Sequence, residues 1–97
     1  MLDPAELERR IMAMADTVYP PGTIREVHCR RDLDHVNEPV VWVGFVVADG
    51  VMPFDPHRQL DFGLQLSRAF ADWDDPAYPV TSFYPETEYR GLYPAAA

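Results

Sequence analysis

Apolar residues recur along this chain with two different periods, and the switches between them mark out its elements. Leu7, Ile11, Met14, Ala15 and Val18 share one stripe at helical spacing, while Glu6, Glu8, Arg9, Arg10 and Asp16 fill the other faces. Asp3 is a good N-cap, Pro4 suits the first helical position, and Glu6 stands three residues beyond the cap. The pattern predicts an amphipathic helix over 4–18, stopped by Tyr19-Pro20-Pro21-Gly22. From Thr23 to Arg31 the period drops to two. Val27 and Cys29 then point one way and Glu26, His28 and Arg30 the other. Ile24 is out of phase, which calls for a two-sided start or a bulge.

Asp32 to Pro39 is rich in turn formers and predicts a connection. Val40 to Val47 carries no polar side chain, as a strand buried on both faces would, and is expected at the centre of the sheet. Asp49-Gly50 ends that strand, and Val51-Met52-Pro53-Phe54 follows as an apolar loop. Asp55-Pro56 repeats the cap-plus-proline start. Phe62, Leu66, Ala69, Phe70 and Trp73 form a second helical stripe, widened by Leu60 and Leu64 and closed by Asp74-Asp75-Pro76. Tyr78 to Tyr84 reads as a third strand with Pro79 confined to its start. Residues 85–97 are then a C-terminal tail carrying Tyr89, Leu92 and Tyr93.

The expected fold is a single α+β domain over 1–97, in the order α-β-β-α-β. The first two strands pair antiparallel, and the second and third are joined by a helical crossover and run parallel. Two helices then pack on one face of a small mixed three-stranded sheet. The other face of the central strand is left open, carrying either Val41, Val43, Phe45 and Val47, or Val40, Trp42 and Val46.

Charge narrows the function classes. The net charge is −8, and all eight basic residues are arginines, too few and too scattered for unaided nucleic-acid binding. The longest apolar run, Val40 to Ala48, is too short for a membrane-spanning helix. One cysteine, Cys29, rules out an internal disulfide, and a reducing cytoplasm is the expected compartment.

The densest set of potential ligands is His28, Cys29, Asp32, Asp34, His35 and Glu38, but its spacing fits neither zinc nor calcium patterns. No metal and no cofactor is expected. Cys29 shares a side with Val27 and is expected to be buried and inert. Asp72, Asp74 and Asp75 sit at a helix C-terminus, where the helix dipole disfavours acids. That placement makes them either a solvated helix end or an acidic contact patch. Trp42, which shares a face with Gly44, joins Phe45 and Phe54 as candidate aromatic anchors.

These features together point to a non-enzymatic protein-interaction module, an accessory or neutralising (antitoxin- or immunity-like) partner of an operon-encoded protein. It would act as a homodimer or in complex with another protein. The alternative is a small-ligand-binding module or small enzyme using His28, His35 and His57 with nearby carboxylates.

Overall fold

The computed structural model describes residues 1–52 and 54–94, so Pro53 of the apolar loop and residues 95–97 of the tail lie outside the described residues. The elements follow in the order α1 (Pro4–Val18), β1 (Ile24–Leu33), β2 (Pro39–Val47), α2 (Pro56–Asp72), β3 (Tyr78–Pro85) and α3 (Glu86–Leu92). Both long helices start as their sequences dictate. The Asp3 carboxylate accepts the Glu6 N–H at 2.8 Å, and Asp55 accepts that of His57 at 2.9 Å.

The sheet has the order β1-β2-β3, with β2 in the middle. β1 pairs antiparallel to β2, and β3 runs parallel to it. The register slips between Ile24 and Glu26, so the out-of-phase Ile24 marks a bulge, and Ile24 and Val27 are both buried. Asp34 ties the β1–β2 turn together. Its carboxylate accepts from the N–H groups of Val36 and Glu38, both at 2.9 Å, and from the Tyr78 hydroxyl at 2.6 Å. Asn37 adopts the left-handed conformation (φ 63°) that Asn tolerates in such a turn.

α1 and α2 cover one face of the sheet. Leu7, Ile11 and Ala15 from α1 and Phe62, Leu66 and Phe70 from α2 meet Val41, Val43, Phe45 and Val47 from β2 in one buried core. The two-sided apolarity of β2 thus resolves in favour of its odd-numbered residues facing the helices. Phe45, a candidate anchor in the sequence, is fully buried there and presents no surface. Phe54 is half-buried, its ring packed on Tyr19 and Phe83 at 4.8 and 5.5 Å between centroids.

The acidic cluster after α2 splits three ways. Asp72 is exposed, and Asp74 adopts φ 55° as α2 ends, with the Asp75 N–H reaching back to the Phe70 carbonyl at 2.9 Å. Asp75 itself is buried. Its carboxylate takes two bonds from the Arg31 guanidinium, at 2.5 and 3.2 Å, and one from the Ala77 N–H at 3.1 Å. Arg31 also donates to the Leu2 carbonyl. One buried ion pair therefore joins β1, the N-terminal segment and the α2–β3 connection, and Asp75 is not part of a surface patch.

Residues 86–92 form a third helix where a tail was expected. α3 packs on the sheet face opposite α1 and α2. Three contacts hold it. Asp49 accepts from the Thr87 N–H at 3.1 Å and from its hydroxyl at 2.5 Å. The Tyr89 ring stacks on His28, 5.2 Å between centroids and 9° from parallel. Arg90 pairs with Glu26 on β1. Among the described residues, no helix is long and apolar enough to cross a membrane.

Candidate functional site

The face that α3 shares with the sheet is built in rows across the three strands. Glu26, Val46 and Tyr84 are in register, then His28, Gly44 and Ser82, then Arg30, Trp42 and Val80, and last Asp32, Val40 and Tyr78. Side chains alternate along a strand, so all twelve lie on one face. α3 overlies the first rows, and Val46 and Val40 are both buried. The expected open face is therefore closed over most of β2 and remains open at Trp42, which is 38% exposed.

Between Trp42 and α3 lies a groove of about 270 Å³. Its floor is Gly44, the one residue of β2 without a side chain. Its walls are Trp42 and Arg30 on one side and Tyr84, Tyr89 and Tyr93 on the other, with His28, Val80 and Ser82 along its sides. The three tyrosines pack on one another, with centroids 4.9 to 6.5 Å apart, and form a preassembled aromatic wall. Arg30 lies 6.0 Å from the Trp42 ring centroid and bonds Asp32 at 2.9 Å, which holds the indole from its outer side. A lone glycine in a strand of branched and aromatic residues is intrinsically unfavourable, and often marks a site of close approach. Here it makes the recess.

Electrostatics set the groove's character. Hydrogen bonds from Arg90, joined by one from His28, hold the Glu26 carboxyl below its usual range against the opposing effect of burial. Burial, with the Glu26 charge next, pushes the Tyr89 phenol up, so Tyr89 is neutral around pH 7. Two ion-paired arginines, Arg30 with Asp32 and Arg90 with Glu26, border the aromatic recess.

A triad-like reading of Glu26, His28 and Ser82 is excluded by geometry. His28 and Ser82 are two strands apart, about 9.6 Å at two strand spacings, with Gly44 between them. The His28 Nε2 is held by Glu26 at 2.8 Å and its ring lies flat on Tyr89. A working base needs about 2.6–3.2 Å to the hydroxyl it activates. Nor do the three histidines meet. His35 sits in the β1–β2 turn at the start of β2, whereas His57 opens α2 beyond the end of β2, so the strand's length separates them. Among the described residues, no group of three or more His, Cys, Asp or Glu side chains is placed to hold a metal ion.

Cys29 contributes to the groove only from the sheet's edge. It is half-buried, it lies on the helix side with Val27, and its N–H is taken by Glu8 at 2.8 Å. Burial, with the Glu8 charge second, pushes its thiol up to about 12. The thiolate is the reactive form. Native protein at pH 8 should therefore label with an aromatic disulfide reagent at least about 100-fold more slowly than protein unfolded in urea. Equal rates would show that the thiol is neither shielded nor shifted.

Of the sequence candidates, the structure brings Trp42 and His28 to this groove, with Cys29 at its edge; Phe45, Phe54, Asp72, Asp74 and Asp75 lie elsewhere. Tyr84, Tyr89, Tyr93 and Arg30 were missed as a group. The available signal was the spacing of Tyr89 and Tyr93, one helical turn apart, with acidic Glu86 and Glu88 before Tyr89 and basic Arg90 just after it. No family model matches this chain, and no curated protein or solved structure matches it either.

Proposed function

We propose that this protein is a non-catalytic recognition module that seats a side chain of a partner protein in the groove over Gly44. The observation that carries this reading is the recess itself. An aromatic wall, an exposed tryptophan and a side-chain-free floor converge at one place, while no acid, base or nucleophile there is placed for chemistry. Exposed aromatic and arginine side chains around a desolvated pocket are what binding hot spots are made of. The occupant that suits it is an apolar or aromatic anchor, with a carboxylate nearby to meet Arg30. An accessory or neutralising partner of another protein is the role such a module would serve.

The test is capture from an extract of the native host, with immobilised wild type and a Trp42→Ala variant compared side by side. A partner retained by the wild type and lost by the variant, at unchanged thermal stability, supports the reading. Equal retention by both removes Trp42 from the interface and the reading with it.

A further inference from the structure

The outer face of α2, on the opposite side of the molecule from the groove, presents a second surface. Phe62, Leu66 and Phe70 turn inward. The opposite stripe is centred on Leu64, and it exposes two leucines, Leu60 at 62% and Leu64 at 50%, with Ala71 in line. Two large exposed leucines one turn apart lie in the middle of an amphipathic helix, where solvent-facing positions are ordinarily polar.

The charges beside this stripe repeat with opposite sign about Leu64. At about 100° per residue, Asp61 and Arg68 lie on the same flank, about 60° and 40° around from Leu64. Asp61 lies about 4.5 Å before Leu64 along the axis and Arg68 about 6 Å after it. Arg58 and Asp72 repeat the relation further out on that flank. Among the described residues none of these four charges forms an ion pair within the chain.

We infer that α2 is a self-association surface, and that its occupant is the α2 of a second copy, packed antiparallel about a two-fold axis at Leu64. Such an axis maps each flank onto the same flank of the partner, reversed end to end. Asp61 then faces the second copy's Arg68 and the reverse, with Arg58 and Asp72 repeating the exchange outside them. Leu64 meets its own mate, and Leu60, about 6 Å along the axis, falls between the second copy's Ser67 and Ala71, about 4.5 and 10.5 Å out. The charge pattern is complementary to itself in this arrangement. A single helix pair buries less than the roughly 800 Å² per partner of a standard interface, so the dimer is weak and its state depends on concentration. Because the groove lies across the sheet from α2, the dimer leaves two grooves open and facing outward. A partner with two anchors would be bound with avidity.

Sedimentation equilibrium over a concentration series reaching several hundred micromolar tests this with three full-length variants, each checked for unchanged thermal unfolding. Asp61→Arg and Arg68→Asp each place like charges opposite one another twice, and each should weaken the dimer at least about tenfold. The double variant restores opposite signs and should return the dimer to within about threefold of wild type. Wild type that stays monomeric throughout overturns the inference. So does a dimer that the single swaps leave intact, or one that the double swap fails to restore, because either places the contact elsewhere.

Discussion

Replacing Arg31 by methionine should cost about 3–5 kcal/mol at pH 7, a large part of the 5–15 kcal/mol that holds a small domain together. Methionine keeps the unbranched stem of arginine as far as the δ position and removes the guanidinium with its charge and hydrogen bonds. What remains is the Asp75 carboxylate, whose side chain is 0% exposed and whose main partner is gone. Arg31 also releases the Leu2 carbonyl, which loosens the start of α1.

The pH dependence distinguishes this cause from simple loss of packing. In the wild type, hydrogen bonding from Arg31 holds the Asp75 carboxyl below its usual range, against the effect of burial. A group depressed in the folded state contributes stability above its unfolded pKa of about 3.9 and loses it as the pH falls through the folded value. In the variant burial still pushes this carboxyl up and Arg31 no longer opposes it, so its pKa rises from the wild-type value. Protonation then relieves the variant as the pH falls from neutrality, just where the wild type is still fully paired. Urea unfolding at pH 7 and pH 4.5 should show the gap between the two proteins narrowing in acid. A gap independent of pH would mean that the ion pair is not what the substitution removes.

Gly44→Leu should leave the fold intact and weaken partner binding at least about 100-fold. A Cβ at Gly44 would meet the Tyr84 ring at 3.8 Å and the His28 carbonyl at 3.9 Å, both ordinary contacts, so the backbone accepts a side chain there. Glycine inside a strand costs roughly 0.5–1 kcal/mol relative to alanine, so Gly44→Ala should raise stability by about that amount. Leucine goes further and fills the groove's floor. Stability and binding therefore move in opposite directions along the series Gly, Ala, Leu. If binding were indifferent to leucine at this position, the groove would not be where the partner's anchor sits.

How much of this was legible in the sequence depends on the range over which each feature is encoded. α1 and α2 carry their caps, starts and apolar stripes within a few residues, and both form where the pattern puts them. β2 reveals its central place by apolarity on both faces, and the bulge in β1 shows in the phase of Ile24. α3 was not visible because little of what holds it lies within its seven residues. Its anchors are Asp49, Glu26 and His28, which approach only once the sheet has formed. The same holds for Asp75, which looks like one of three surface acids until Arg31, 44 residues away, folds against it. The groove was half legible. Gly44 beside Trp42 stood out in an otherwise branched strand, but its tyrosine wall depends on α3, and which phase of β2 faced outward was left open.

The most direct measurement is amide chemical-shift mapping of isotope-labelled protein, titrated with the partner recovered by Trp42-dependent capture. The account predicts that the largest changes cluster at Arg30, Trp42 and its indole N–H, Gly44, Ser82 and Tyr89, with α1 little affected. Changes concentrated on α1 or on the β1–β2 turn, with Gly44 and the Trp42 indole unmoved, would contradict it.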